Sequence, residues 1–535
     1  MILRRNAIII LTLMIATYLR LWGLTEFPPS VTGDESRNGV DLIELVAHPH
    51  LTPFFPANTG REALFFYLVA PWFVILGPTL FALRIIPVFN GILLVALTYR
   101  WTRQLLPQLP WVAVITAIFI ATSPWGLYNS RIGLRGSLLP TFMLATYISF
   151  WHGINRLDSK NPTLWFIITG LFLGLTSYTY TSSRLLPITF ILFALWMRSS
   201  KIWRGVVIIG IVSFIVFIPL GWYFIQHPNA FLARTLQVSL LNEPNITGYW
   251  FDNLYLFINL TTPWIQNDDW NILWQWLPLI FWLGILPLIF LSWQQPAYAF
   301  LLISFIVGLL PALWSFPTTL RISPALPQTF LILALGVHIG LGRSIKFLNP
   351  YKFIIVLLIL LISTLSALNL FRFERWVVGF PNTPNDERWV YLAHLPTLYD
   401  HALGVATQEI KTLVLQQKQP LLIPQTLYER IYTPLRLYPD FKVTANPAKI
   451  APQETVFILW SLEFEQQPGQ FVLLSPTGQI EPFGQWKAES RNKFKQLVNE
   501  RQFYTTTIHI VDKQQKSIGF IVPVDWTQIS PYFDK

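Results

Sequence analysis

The chain has 535 residues, of which 53% are hydrophobic, 16% aromatic and only 12% charged. Soluble proteins carry roughly 25% charged residues, and the mean hydropathy here is +0.46. An ordinary soluble enzyme, a disordered chain and a fibrous chain are all excluded, which leaves a polytopic membrane protein with some soluble mass. The net charge of +11 needs no nucleic acid, because cytoplasmic membrane loops collect Lys and Arg. With no cysteine, there is no disulfide, thiolate metal site or thiol nucleophile.

In chain order, a basic start (Arg4, Arg5) leads into an apolar run over 6–19, extended by 21–24, with no small-residue cleavage site before Trp22. It reads as an uncleaved first span. Uncharged stretches read as spans, against the about 20 residues of a full crossing, follow at 85–99, 104–130, 136–155, 161–183, 185–197 and 205–233. The 51 uncharged residues of 270–320 predict a hairpin turning near Gln294-Gln295-Pro296, and 322–342 and 353–371 complete eleven spans. Residues 63–83 are uncharged but interrupted by Pro71 and Pro78, and either span or lie re-entrant at the surface. If they do not span, twelve Lys and Arg fall on the cytoplasmic side and eight on the other; if they do, the totals swap. The positive-inside bias selects a cytoplasmic N-terminus and an external C-terminus.

After residue 371 charges become frequent and short apolar runs alternate with turn signals. Runs at 412–415, 421–423, 455–460, 471–474 and 508–511 predict strands, and 401–411 a short helix. The division expected is a membrane domain over 1–371 and an extracytoplasmic soluble α/β domain over 372–535.

Chemistry is expected in the external loops, since the cytoplasmic ones are too short for a nucleotide fold and no Gly-rich phosphate loop is present. The first external loop, 25–62, carries Gly33-Asp34-Glu35 and Gly60-Arg61-Glu62. A carboxylate at Asp34 can act as a general base or cap the helix that follows, and both roles can hold. External arginines stand against the positive-inside bias. Arg131 and Arg135 lie four apart, Arg184 follows Tyr178 and Tyr180, and Arg321 precedes Pro324. Guanidinium forks suit phosphate, although each could simply snorkel to the headgroups. His48 and His50, with Asp41 and Glu44 upstream, fit no strong metal pattern.

Several segments together resemble the GT-C membrane glycosyltransferases, nearest the protein mannosyltransferase and aminoarabinose transferase branch. They are Pro28-Pro29-Ser30-Val31-Thr32-Gly33-Asp34-Glu35, Gly60-Arg61-Glu62-Ala63-Leu64-Phe65-Phe66-Tyr67 and Leu83-Arg84-Ile85-Ile86-Pro87. Ser130-Arg131-Ile132-Gly133-Leu134-Arg135, Tyr178-Thr179-Tyr180 with Arg184, and Leu320-Arg321-Ile322 with Pro324 and Pro327 continue the match, over roughly residues 1–345. The resemblance implies a polyprenyl-phosphate sugar as donor and an inverting transfer on the outer face. The acceptor, whether protein, lipid or glycan, stays open. It implies Asp34, beside Glu35, as the catalytic position. Arg61, Glu62, Arg84, Arg131, Arg135, Tyr178, Arg184 and Arg321 become substrate-binding candidates, with Arg184 and Arg321 the best carry-overs to the donor phosphate. No cofactor is required, and a divalent metal is allowed but not needed. Arg61-Glu62-Ala63 replaces the Lys-Pro-Pro or His-Pro-Pro that the family often carries, so that lysine's or histidine's role does not transfer. Asp268, in a second external loop with no residue-by-residue match, is a further substrate-binding candidate. A transporter would need charges within spans and repeat symmetry. An oligosaccharide ligase would place its large loop late in the chain. A catalytically dead receptor or scaffold carrying the external domain is the remaining alternative. The cell-envelope setting expected is a prokaryotic plasma membrane.

Overall fold

The computed structural model describes most of residues 2–232 and 277–371 and, beyond these, 410–424 and separate strands between 442 and 525. The membrane part is a bundle of helices. In hydrocarbon every backbone N–H and C=O must be satisfied within the segment, and a helix does so.

Helix α1 (Ile2–Leu21) opens the bundle, followed by the amphipathic α2 (Gly33–Ala47). Helix α3 (Leu64–Leu76) covers the ambiguous stretch. Its 13 residues rise only about 20 Å against a hydrocarbon core of about 30 Å, so it is too short to cross. It stops at Gly77-Pro78, and Thr79 Oγ1 caps the next helix by accepting from Ala82 N at 3.2 Å. That helix, α4 (Leu80–Leu105), has 26 residues and reaches both ends of the bundle. Arg84 lies at one end and Arg100 and Arg103 at the other.

Helices α5 (Pro110–Thr122) and α6 (Pro124–Arg131) form one stretch bent by 54°. Pro124 cannot donate to the preceding turn, and Ser123 Oγ caps α6 by accepting from Gly126 N at 3.0 Å. Helices α7 (Leu139–Ile154), α8 (Pro162–Thr176), α9 (Leu186–Met197) and α10 (Ser200–Gln226) follow. The expected hairpin is present: α11 (Leu277–Ser292) ends and α12 (Pro296–Leu313) begins with Gln295 between them. A single turn, Thr319–Ile322, precedes α13 (Leu326–Arg343) and α14 (Lys352–Leu368).

Among the described residues, four helices are long and apolar enough to cross a membrane, or five if the bent pair counts as one span. Several of the remaining expected spans coincide with shorter apolar helices. The core holds an aromatic cluster in which Phe150 meets Phe190 at 4.9 Å and Phe300 meets Phe193 and Tyr147 at 5.2 Å each. Helices α11 and α13 approach backbone to backbone. A Cβ at Gly336 would lie 1.9 Å from Ile280 O, so only glycine allows that crossing. Outward, α10 exposes Phe214, Trp222 and Ile225, an apolar surface that suits lipid.

Beyond residue 371 the described strands form one seven-stranded sheet. They are β3 (Leu421–Pro424), β4 (Lys442–Val443), β5 (Thr455–Ser461), β6 (Gln470–Leu474), β7 (Gln479–Gln485), β8 (Ile508–Val511) and β9 (Ser517–Asp525). Their order is β4-β7-β6-β3-β5-β9-β8. Four expected strands coincide with these. The fifth does not: Thr412–Gln416 is a π-helical turn with Leu413 and Val414 buried. A short apolar run cannot by itself tell strand from buried helix. Of the expected helix at 401–411, only 407, 410 and 411 are described, and they are helical.

Candidate active site

One end of the bundle gathers most of the candidate residues, and the local sequence explains how. Thr32 is the N-cap of α2 and forms a capping box with Glu35: Glu35 N donates to Thr32 Oγ1 at 3.2 Å and Thr32 N to Glu35 Oε2 at 3.3 Å. The box fixes the register of the helix start. Asp34 and Glu35 therefore occupy neighbouring positions about 100° apart around the helix, and they meet different surroundings.

Glu35 points into the core and is fully buried. Arg84 grips it in a bidentate pair, Nε to Oε1 at 2.9 Å and Nη2 to Oε2 at 3.0 Å. Gly133 N donates to Oε1 at 2.7 Å. A carboxylate offers about four lone-pair sites, and these contacts with that of Thr32 N occupy them. We therefore assign Glu35 to the scaffold. The same holds for Arg84, whose Nη1 donates to Leu24 O and Pro28 O at 3.1 and 2.9 Å. Asp34, by contrast, is half-buried and lies within the electrostatic reach of Arg61.

Arg61 and Glu62 sit on β2 (Arg61–Glu62), paired antiparallel with β1 (Phe54–Phe55). Consecutive strand residues face opposite sides, and the two side chains do so here. Arg61 turns to α2, where Nη1 donates to Asn38 Oδ1 at 2.8 Å and Nη2 to Asp41 Oδ2. Glu62 turns the other way, accepting from Arg135 Nε at 2.8 Å and Thr181 Oγ1 at 3.0 Å. Gly60 has φ +97°, and a Cβ there would meet the Phe54 ring at 2.2 Å, so the hairpin needs glycine. Gly60 O also accepts from Arg135 Nη2 at 3.1 Å.

Burial pulls Arg61 down to about 10, opposed by the fields of Asp41 and Asp34. Burial likewise raises Asp41 above its ordinary range despite Arg61 beside it. Arg135 lies over the Tyr180 ring at 5.5 Å. Arg184 is half-buried; its Nη1 donates to Phe231 O at 2.8 Å, and the guanidinium lies 4.3 Å from the Phe231 ring. Arg321 is buried, on the turn that packs against α6 and the 3₁₀ turn Arg135–Leu138.

Two further candidates serve the frame, as Glu35 and Arg84 do. Arg131 donates to six carbonyl contacts at 2.8–3.0 Å, on Leu19, Arg20, Trp22, Gly23 and twice on Phe27. A guanidinium has five N–H groups, so Arg131 caps the C-terminus of α1 and keeps none for a ligand. Tyr178 donates to Val216 O at 2.8 Å and ties its loop to α10. Asp268 lies outside the described residues.

Sequence reasoning passed over Arg20, which is fully buried and caps α5 through Ala121 O at 2.9 Å and Ile120 O at 3.1 Å. It also passed over Asn38 and Thr181. Asn38 was detectable, since Asp34, Asn38 and Asp41 recur at helical spacing on one face of α2. The histidine pair lies at the C-terminal end of α2, where exposed His50 Nδ1 donates to His48 O at 2.9 Å. Among the described residues no three His, Asp or Glu gather as a metal site.

Comparisons with known proteins bear on this geometry. Residues 62–223 match the family model described as dolichyl-phosphate-mannose-protein mannosyltransferase. No curated protein matches the chain. Among solved structures the chain is similar to ArnT from Cupriavidus metallidurans bound to undecaprenyl phosphate. There the identity is 13% and the TM-score 0.55, with 98% of this chain and 97% of that one covered. It is also similar to the Archaeoglobus fulgidus oligosaccharyltransferase in complex with Zn and sulfate, at 15% identity and TM-score 0.51. That match covers 82% of this chain but only 59% of the archaeal one, so the chain spans less than two thirds of its length. At such identities the likeness is one of fold. The family model thus covers residues 62–223, and over the whole chain what is shared with ArnT is the fold.

Proposed function

We propose that the protein transfers a sugar from a polyprenyl-phosphate donor to an acceptor on the extracytoplasmic face, with inversion and with Asp34 as general base. The observation that carries this reading is the contrast within the acid pair: the acceptor sites of Glu35 are occupied, while Asp34 is half-buried beside Arg61. In the proposed step the Asp34 carboxylate takes the proton from an acceptor hydroxyl or amine. The freed electron pair forms the bond to the anomeric carbon from the face opposite the leaving group. The bond from that carbon to the phosphate oxygen breaks, and its electron pair leaves on the polyprenyl phosphate.

Arg184 and Arg321 are the proposed partners of the departing phosphate, charge that counts most in a water-poor site. Arg135 is held by Glu62, whose field also reaches Arg184. ArnT, similar in fold to this chain, was captured with undecaprenyl phosphate, which supports a lipid-linked donor. The step invokes no metal. We also propose that residues 372–535 form an extracytoplasmic domain.

The test is transfer from a panel of labelled polyprenyl-phosphate sugars by protein reconstituted in lipid. Label reaching an acceptor with the wild type and not with Asp34→Asn supports the donor class and the base together. Release from no donor by folded protein rejects the transferase reading.

A further inference from the structure

Helix α9 is short for the distance it covers. Its 12 residues rise about 18 Å, against a hydrocarbon core of about 30 Å. Helix α3 is nearly as short, but α9 is held at opposite ends of the bundle. At the site end the turn Thr181–Leu185 leads into α9. Thr181 Oγ1 donates to Glu62 there, and Leu64 N donates to Tyr178 O at 3.1 Å. At the other end Arg198 closes α9 in the left-handed region, φ 49°, and α10 begins two residues later. Lys201 then holds Asp158, which follows α7. Trp196 and Trp203 flank Arg198 in sequence, and tryptophan sits at the headgroup level of a bilayer.

Arg184 and Arg198 are fourteen residues apart, about 21 Å at helical rise. Between them Pro187, Ile191, Leu192 and Leu195 are exposed, a strip that suits lipid tails. Helix α10, which packs on α9, has 27 residues and rises about 40 Å. It exposes apolar side chains from Val207 to Ile225. The two neighbours therefore offer the bilayer very different apolar lengths. A short apolar stretch is met by thinning of the bilayer or by flanking charges that reach out to the headgroups. The Arg184 guanidinium is instead held on the carbonyl and ring of Phe231.

We propose that α9 pinches the bilayer, drawing the phospholipid headgroups of the site-side leaflet down to the level of Arg184. The polar turn before α9 then meets headgroups and water, and α9 spans the hydrocarbon that remains. The pinch follows from helix length and from where the ends of α9 are held, and it does not depend on the transfer reading. Combined with that reading, it brings a lipid-linked phosphate level with Arg184 without the donor leaving its leaflet.

The chain has no cysteine, so single labelling positions can be introduced without background. Ile191→Cys, midway between Arg184 and Arg198, and Ile215→Cys on α10 each carry a nitroxide in dioleoylphosphatidylcholine nanodiscs. Collision rates with oxygen and with a water-soluble nickel chelate report the depth of the label, and thermal unfolding reports folding. The label on α10 should read near mid-bilayer, about 15 Å below the headgroups. The label on α9 should read no deeper than about 10 Å, half the rise between its two arginines. Equal depths overturn the pinch. So does a label at 191 that collides with neither reagent, since protein and not lipid would then cover α9. If Ile191→Cys does not fold, Leu192→Cys, the next exposed position, decides by the same readings.

Discussion

Two sets of arginines lie close together and do different work. Around the C-terminal end of α1, Arg20 and Arg131 face backbone carbonyls, and Arg84 faces carbonyls and Glu35. All three are fully buried. At the neighbouring polar end, Arg61, Arg135 and Arg184 face carboxylates, aromatic rings and a loop carbonyl. The difference is what each guanidinium meets. The bend at Ser123 and the end of α1 leave last-turn carbonyls without helical partners, and in a membrane interior those groups must be satisfied. Arginine supplies five donors at once, so it serves there as a helix cap. Where strands and loops present side chains, the same residue type remains available to charge chemistry.

The comparison breaks most severely at Arg131. Replacing it with Ala strips donors from five carbonyl groups, at about 1–3 kcal/mol for each buried group left bare. The variant should not be recovered as monodisperse folded protein, which size-exclusion chromatography after solubilisation checks. Arg131→Lys should fail nearly as badly, since three donors on one nitrogen cannot reach both sides of the α1 terminus. Normal recovery of either would remove the capping role.

Glu35→Gln comes next. It removes the carboxylate charge opposite the buried Arg84 cation, a loss of about 3–5 kcal/mol for a broken buried ion pair. The expected signature is a large fall in melting temperature. A variant that melts normally but has lost transfer would move the base from Asp34 to Glu35.

Thr181→Ala sharpens the polar end. It removes one hydrogen bond to Glu62, worth about 1.5–3 kcal/mol at a charged acceptor, and loosens Arg135 through its partner. Stability should fall modestly, and KM for the donor should rise more than kcat falls.

The smallest effect is in the pH dependence carried by Asp41. Its folded pKa lies above the ordinary value of 3.8 because burial outweighs Arg61. The folded state therefore takes up this proton before the unfolded state does. The resulting stabilisation is fully present below the ordinary value and is lost as pH rises through the raised one. Melting temperatures taken upward from about pH 4 should fall less steeply in Asp41→Asn than in the wild type.

Much of the bundle was legible in the sequence because spanning helices are written locally, as apolar length bounded by charge. The hairpin at Gln295-Pro296 and the short α3 between Ala63 and Gly77 follow from such signals. The cap of α2 was misplaced: Asp34 was the expected cap, whereas Thr32 caps the helix and Asp34 sits in its first turn. The division of the arginines was not legible. Arg131 meets Phe27 O and Arg20 meets Ala121 O across 104 and 101 residues of sequence, and no local pattern encodes such a partner. Glu35 was read with Asp34 as one acid pair, yet neighbouring helix positions face different surroundings. Residues 412–415 went the other way, since a four-residue run carries too little periodicity to choose its state.

The central claim is that Asp34 acts in chemistry while Glu35 beside it holds the frame. The most direct measurement is the transfer rate of Asp34→Asn in lipid with a competent polyprenyl-phosphate donor, beside its melting temperature. The account predicts a wild-type melting temperature with transfer reduced roughly 10²–10⁴-fold, the usual contribution of a general base. Near wild-type turnover in a folded Asp34→Asn protein would contradict it.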